Sequence, residues 1–179
     1  MRTSLITVAL VMLLAQSVSY AMHHEGGPSN TGELYLLLDA GVLFEESASN
    51  PFFGRAGIGY SEGMFSAEAA YFESDNAWNG NAWAKIRGGD FSLLVRPFKH
   101  DVLQHFYVRA GGHYSRVWGG GTGYTSVSYK GVGWLAGAGF DMPINDHISI
   151  HAGFSHYGAA AGREALNADG AMGGFRLKF

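Results

Sequence analysis

The last ten residues of the chain, 170–179, alternate strictly between two kinds of side chain. Successive side chains of a β-strand point to opposite faces, so this alternation predicts a strand whose two faces meet different surroundings. One face is small or apolar and ends in an aromatic carboxy-terminus, while the other carries two basic residues. The apolar face holds Ala171, Gly173, Phe175, Leu177 and Phe179, and the other face holds Met172, Gly174, Arg176 and Lys178.

The amino-terminus has the pattern of a secretory signal peptide. Arg2 precedes an apolar run from Leu5 to Leu14, and Ser19-Tyr20-Ala21 places small residues where a signal peptidase cleaves. The run is shorter than the ~20 apolar residues that a membrane-spanning helix requires. We therefore expect residues 1–21 to be removed, 22–32 to form a flexible periplasmic leader and 33–179 to form one domain.

The composition favours an all-β domain. The chain has 27 glycines in 179 residues, and an interior glycine weakens a helix by ~1 kcal/mol relative to alanine. No apolar run after residue 21 reaches the ~18 residues of a spanning helix. A formal net charge of −3 argues against nucleic acid as a partner, and the absence of cysteine excludes disulfides and thiolate metal sites.

Eight segments repeat the two-faced alternation, and the connections between them alternate short and long. Long loops are predicted at 73–89, 118–130 and 158–169. Short turns at one end and long loops at the other are typical of antiparallel membrane barrels. The sequence therefore predicts an eight-stranded antiparallel up-and-down transmembrane β-barrel. The predicted strands are 34–44, 53–60, 65–72, 91–96, 106–114, 132–142, 148–155 and 170–179.

Side-chain volume indicates which face of the barrel is inside. The apolar face carries too many aromatic rings for the interior of an eight-stranded barrel, which side chains only just fill. We therefore expect this face to meet lipid, rather than to line a soluble lipocalin-like carrier. Aromatic residues near the strand ends predict two girdles at the membrane surfaces. The girdle residues are Phe65, Tyr71, Phe106, Tyr114, Trp134, Phe140, Phe175 and Phe179.

The inward face gathers charged side chains of both signs. Inside a narrow lumen they must pair, because an unpaired buried ion costs several kcal/mol. We expect an ion-pair network that plugs the lumen, with Glu68 bridging to Arg96 or Arg109. The predicted members are Asp39, Arg55, Glu68, Arg96, Arg109, Asp141, His151 and Arg176.

The chain resembles the OmpA-like superfamily of small eight-stranded outer-membrane β-barrels of the surface-antigen type. The resemblance spans 34–179 and rests on Tyr107-Val108-Arg109-Ala110-Gly111-Gly112, on Gly137-Ala138-Gly139-Phe140-Asp141 with the following 145–150, and on Phe175-Arg176-Leu177-Lys178-Phe179. It implies the outer membrane of a Gram-negative bacterium and a structural, adhesive or stress-related role. The implied partners are outer-membrane lipid and lipopolysaccharide, the barrel assembly machinery through the C-terminal strand, and an extracellular partner at the long loops.

Aromatic residues in the predicted loops suit contact with an extracellular partner, because their rings give contact area at low entropic cost. They suit packing of the loops on one another equally well, so a structural role and an adhesive role both stay open. These loop residues are Trp78, Trp83, Trp118, Tyr124 and Tyr129.

An enzyme and a narrow porin are the alternatives. Outer-membrane lipid A deacylases resemble this chain in strand number and use a His-x-Ser pair followed by an acid. Here the residue two positions after His156 is Gly158 instead of the serine, and Gly170 lies near the expected acid position. Ser155 points to the opposite face and Glu164 lies in a loop, so we expect no enzyme.

His23-His24-Glu25 lacks a spaced ligand set, so we expect no metal and no cofactor.

Overall fold

The computed structural model describes residues 32–44, 49–98, 102–159 and 168–179. These residues form a closed antiparallel β-barrel of eight long strands and one short additional strand. A short 3₁₀ turn, Val102–His105, leads into β6. The strands are β1 Glu33–Phe44, β2 Phe52–Glu62, β3 Phe65–Ser74, β4 Ala77–Asn79, β5 Ala82–Val95, β6 Phe106–Gly121, β7 Tyr124–Pro143, β8 Ile148–Ala159 and β9 Ala168–Lys178.

Pairing between the first and last strands closes the barrel. β1 pairs with β9 from Tyr35 opposite Lys178 to Phe44 opposite Asp169. The other long strands pair with their neighbours in the sequence, while β4 pairs with β5 beyond the end of β3. The predicted eight-stranded antiparallel fold is therefore confirmed. Among the described residues, no helix is long and apolar enough to cross a membrane.

The outer face of the barrel is a continuous apolar surface. Phe65, Phe91, Leu93, Phe154 and Phe175 are each 47–59% exposed. Such a surface is stable in hydrocarbon, whereas in water a large apolar area would stay exposed at a cost in free energy. Seven of the eight predicted girdle residues are exposed on this face, and Phe106 is half-buried against the ring of Phe140. Their role as girdles stays a prediction.

The two ends of the barrel differ in their connections. At one end β2 and β3 join through a tight turn in which Gly63 has a φ of 60°. The side chain of Asn145 accepts hydrogen bonds from the backbone N–H groups of His147 and Ile148 in the β7–β8 turn at the same end. Short turns lie on the periplasmic side of outer-membrane barrels, so we assign this end to the periplasm and the opposite end to the cell exterior.

Two of the three predicted long loops are wrong. Most of 73–89 belongs to β3, β4 and β5, and 118–130 is the tip of the β6–β7 hairpin, which turns at Thr122 and Gly123. In the third predicted loop, residues 158–159 and 168–169 belong to strands, and residues 160–167 lie outside the described residues. Beyond the membrane neither face of a strand has to be apolar, so the alternation fades although the backbone hydrogen bonds continue.

Three strands, β5, β6 and β7, therefore extend past the others at the outer end. β6 has 16 residues and β7 has 20, whereas β1, β2, β3, β8 and β9 have 10–12. The extension is paired, for example Trp83 with Gly120 and Val117 with Tyr129, apart from an irregularity between Gly119 and Gly121 in the β6–β7 register. We call residues 77–88, 115–121 and 124–132 the outer ribbon. It is a sheet that projects from the barrel wall.

The substitution Leu93→Arg tests the assignment of the outer face to hydrocarbon. Leu93 is 56% exposed towards the carboxy-terminal end of β5, opposite Ala67, which lies between the predicted girdle residues Phe65 and Tyr71 of β3. In a bilayer the change should lower the free energy of unfolding by about 2–4 kcal/mol, because arginine at the membrane midplane loses its water. Chemical denaturation in liposomes, followed by heat-modifiable gel mobility, measures the effect.

Ile144→Arg is the matched control, because Ile144 is 58% exposed in the periplasmic turn. This change should alter the free energy of unfolding by no more than about 0.5 kcal/mol. Equal effects of the two substitutions would contradict the membrane assignment.

Candidate functional site: the charged lumen

Arg55 on β2 lies inside the barrel and binds three carboxylates. Its Nε and Nη2 donate to Asp90 at 2.9 and 2.8 Å, and its Nη1 donates to Asp39 at 2.9 Å. Nη2 also reaches Glu68 at 3.1 Å. The carboxylates come from β5, β1 and β3, and the Arg55 side chain is only 1% exposed. The planar guanidinium therefore links three strands across the lumen.

Arg176 on β9 is the second centre of the network. Its Nη2 donates to Glu68 at 3.0 Å, and its Nη1 forms an ion pair with Asp141 on β7. The guanidinium carbon lies 5.6 Å from the ring centre of Tyr35 and 5.2 Å from that of Tyr107. The Tyr35 hydroxyl donates to Glu68 at 3.1 Å. Glu68 thus accepts hydrogen bonds from both central arginines and from a tyrosine.

Three further pairs complete the network. In total four arginines meet four carboxylates, so the formal charges balance before His151 is considered. Charges taken out of water are stable only when they are paired in this way. The further pairs are Arg96 with Asp141 at 2.9 Å, Arg109 with Asp90 at 3.4 Å and His151 with Asp39 at 2.7 Å.

The structure places all eight predicted lumen residues on the inner face. Seven of them are buried and Arg96 is half-buried. The predicted partner of Glu68 is wrong: Glu68 pairs with Arg55 and Arg176 instead of Arg96 or Arg109. The reason is that β5 lies between β3 and β6 and supplies its own carboxylate, Asp90, to Arg109.

Asp90 is the network residue that the sequence analysis missed. Its side chain is 0% exposed and it pairs with Arg55 and Arg109. It shares the inward face with Ser92 and Leu94, both of which are also fully buried. The predicted strand began at Phe91 because the preceding residues were assigned to a loop. Extending the alternation by one residue would have included Asp90.

An aromatic layer fills the lumen on the outer side of the charges. The Phe72 ring lies 5.7 Å from Phe53 and 5.6 Å from Tyr157, and the His113 ring lies 5.5 Å from Tyr157. His113 Nε2 lies 3.2 Å from the carbonyl oxygen of Gly158. The cavity that remains in this layer is about 20 Å³, which is room for about one water.

On the periplasmic side the lumen widens into a vestibule of about 470 Å³. Tyr35, Arg96, Asp141, Ser149 and Arg176 are among the residues that line it. Water from the periplasm can therefore reach the lower edge of the ionic network. Beyond that edge lie Arg55 and its carboxylates, whose side chains are at most 1% exposed.

The deacylase alternative can be compared with the geometry around His156, which lies on the outer face. His156 Nδ1 is 2.8 Å from Asp169 Oδ1, so an acid is present one position before Gly170. At the nucleophile position, a Cβ added to Gly158 would lie 2.3 Å from the Trp134 ring. The indole therefore fills the space that a serine would need. Ser155, which does carry a hydroxyl, is buried on the inner face.

Several other candidate residues fall outside the part of the structure that can be compared. His23, His24, Glu25 and Glu164 lie outside the described residues, as does the side chain of Tyr124. Within the described ranges, no three histidine or carboxylate side chains form a group that could hold a metal ion.

Solved structures with the same fold are outer-membrane or surface proteins. The N-terminal β-barrel domain of Pseudomonas aeruginosa OprF matches with a TM-score of 0.61 at 12% identity, covering 83% of this chain and 100% of that chain. Neisserial surface protein A matches with a TM-score of 0.55 at 16% identity, covering 86% of this chain and 100% of that chain. Ail, the attachment invasion locus protein of Yersinia pestis, matches with a TM-score of 0.54 at 11% identity, covering 83% of this chain and 97% of that chain. No protein-family model and no curated protein sequence matches the chain.

The chain therefore has the fold of the small eight-stranded outer-membrane β-barrels. At these identities the likeness concerns the fold alone. The exposed apolar band of this chain is the surface that such a barrel turns towards hydrocarbon. The protein is accordingly a transmembrane barrel of the type found in the outer membrane of Gram-negative bacteria.

Arg55→Met should lower the free energy of unfolding by about 3–5 kcal/mol. The change leaves Asp39, Glu68 and Asp90 buried with one cation fewer, and an uncompensated buried charge is strongly destabilising. Urea denaturation in detergent micelles, with heat-modifiable mobility as readout, measures this loss.

Lys85→Met serves as the control because it also removes one cation from an ion pair. Lys85 pairs with Glu73 at 2.6 Å, but both side chains are about one third exposed. This change should cost at most about 1 kcal/mol. A cost for Arg55→Met as small as that of the control would show that the lumen network does not stabilise the barrel.

Proposed function

We propose that this protein is a non-conducting outer-membrane barrel that presents the outer ribbon for contact with partners outside the cell. The ionic network and the aromatic layer support the closed lumen. The projecting, aromatic-rich sheet supports a role in surface interaction. The observation that carries the proposal is the combination of a filled interior with an extended outer end.

Two consecutive layers stand in the way of an ion that would cross the lumen. The first is the Arg55 cluster, whose hydrogen bonds an ion would have to break. The second is the aromatic layer around Phe72, Phe53 and Tyr157, where the remaining space of about 20 Å³ would strip an ion of most of its water. A narrow porin needs a continuous water-filled path, and these two layers are our reason for proposing a closed lumen instead.

Planar bilayer recordings test the closed lumen. The purified barrel should give no large, stable single-channel conductance at neutral pH, because both layers must rearrange before an ion can pass. Arg55→Met provides a comparison in which the ionic layer is weakened while the aromatic layer is intact. Stable channels formed by the unmodified protein would contradict the closed lumen.

The outer ribbon has the properties of a contact surface. Trp78 is 50% exposed and Tyr129 is 48% exposed, and both lie on paired strands rather than on loops. Aromatic side chains held by a rigid sheet lose little conformational entropy when a partner binds. Among proteins of the same fold, Ail is the attachment invasion locus protein of its organism and has been solved with the heparin analogue sucrose octasulfate. That precedent supports a binding role for this barrel too.

Shortening the ribbon tests its role. In a variant that also carries Trp78→Ala and Tyr129→Ala, residues 119–127 can be replaced by Asn-Gly, because Trp118 pairs with Ser128 and a two-residue Asn-Gly turn closes a hairpin at such a pair. The variant should fold with unchanged heat-modifiable mobility. Bacteria that display it should lose attachment to other cells or to immobilised matrix.

Bacteria that display the Ile144→Arg protein are the control for attachment, because that change lies at the periplasmic end. Attachment that survives the ribbon replacement would leave the barrel with a structural role and would contradict surface interaction through the ribbon.

The enzyme alternative has less support. His156 and Asp169 could hold and move a proton, yet Trp134 fills the position of the nucleophile. A triad without its nucleophile cannot form an acyl-enzyme. We therefore propose no deacylase activity. Release of acyl chains from lipid A by the purified protein would overturn this part of the proposal.

A further inference from the structure

Three cations lie side by side across neighbouring strands of the outer ribbon. Arg87 on β5 is directly opposite Arg116 on β6, and Arg116 is directly opposite Lys130 on β7. All three side chains are exposed. They share the outward face with Tyr114 and Val132, so they point away from the barrel axis. We call these three residues the basic row.

The basic row lacks enough negative charge of its own. Within the described residues, no carboxylate lies within 4.0 Å of Arg87, Arg116 or Lys130. The carboxylate opposite Arg87 is Glu73, and its oxygens contact Lys85 at 2.6 Å and Tyr71 at 2.9 Å. Like charges directly opposite one another destabilise a sheet. An external anion at this position would relieve the repulsion.

Trp118 holds the two arginines of the row in place. The guanidinium carbon of Arg87 lies 4.1 Å from the centre of the indole ring, and that of Arg116 lies 4.9 Å from it. Arg116 Nε donates to Ser128 at 2.9 Å. Stacking uses the faces of the guanidinium groups, and the N–H groups at their edges that do not contact Tyr71 or Ser128 can meet an anion.

The height of the basic row matches the phosphate level of a membrane. Tyr71, Gly89, Tyr114 and Val132 are successively opposite one another, and Tyr71 and Tyr114 are the two tyrosines among the predicted girdle residues. The basic row is two residues further out on the same face, which is roughly 5 Å of height on a tilted strand. Tyrosine girdles lie at the membrane interface, so the row lies where lipid phosphates begin.

We propose that the basic row binds the phosphate groups of a phosphorylated glycolipid in the outer leaflet, the lipid A portion of lipopolysaccharide. The inference rests on the proposed outer-membrane placement and deepens it by naming a lipid site. Phosphate complements the charge of the row, and arginine pairs with it through two N–H groups. Since the row faces sideways just above the girdle, its occupant is a lipid of the same membrane rather than a soluble polymer.

Binding of purified lipid A to the barrel in detergent micelles tests the proposal. The probes are bisphosphorylated lipid A, the same lipid A after removal of its phosphates, and soluble sucrose octasulfate. Each cation near an anionic lipid surface contributes about 1 kcal/mol, or about fivefold in affinity. The triple variant R87Q/R116Q/K130Q and the removal of the phosphates should therefore each weaken binding by roughly 100-fold.

Single-charge variants control for general electrostatics. R116Q should weaken binding about fivefold, whereas K178Q, which removes a cation at the periplasmic end, should leave it unchanged. In detergent without lipid A the triple variant should unfold at the same temperature as the unmodified protein or at a higher one, because repulsion within the row is lost. That readout also shows that the variant is folded.

Unchanged affinity of the triple variant, or equal binding of the dephosphorylated lipid, would overturn the inference. Binding of sucrose octasulfate without binding of lipid A would also overturn it and would assign the row to a soluble sulfated partner. The Asn-Gly ribbon replacement keeps Arg116 and Lys130, so it should abolish attachment while lipid A still binds. Failure of attachment and failure of lipid binding are thus separate results.

Discussion

The buried ionic network is the interaction on which the rest of this barrel depends. A soluble domain is stabilised by an apolar interior, but here the apolar surface faces outward and meets lipid that is equally apolar. The interior must therefore supply specific contacts. Arg55 connects β2 to β1, β3 and β5, and Arg176 connects β9 to β3 and β7. Two guanidinium groups thus join six of the eight barrel strands across the lumen.

Small residues on the inner wall give the large side chains room to cross. A Cβ on Gly59 would lie 2.2 Å from the ring of Tyr35, and a Cβ on Gly139 would lie 2.5 Å from the hydroxyl of Tyr107. These two tyrosines are the rings that flank Arg176. The high glycine content, which favoured an all-β domain in the sequence, therefore has a direct role: it leaves space in which the network forms.

The sequence predicted most of the barrel and of its charged interior, because hydrocarbon imposes the same requirement on every membrane strand. An outward residue must be apolar, so alternation identified the inward positions of Arg55, Glu68 and Arg176. The prediction failed where that requirement ends. Residues 118–130 lie at the outer ends of β6 and β7, where outward residues need not be apolar, and their glycine, serine and tyrosine content resembled a loop although most of them belong to strands. Asp90 was missed at the same kind of boundary.

Arginine has opposite environments in the two charged regions of this barrel, and the comparison shows why only one of them calls for a ligand. In the lumen each guanidinium is paired with carboxylates of the chain, so the formal charges of arginines and carboxylates balance. On the outer ribbon Arg87 and Arg116 have an indole ring for support and a third cation, Lys130, beside them. Water and salt reduce their repulsion at this surface without removing it. Glu73 is the one carboxylate opposite the row among the described residues, and it is shared with Lys85, so three aligned cations favour an external anion such as the phosphates of the surrounding leaflet.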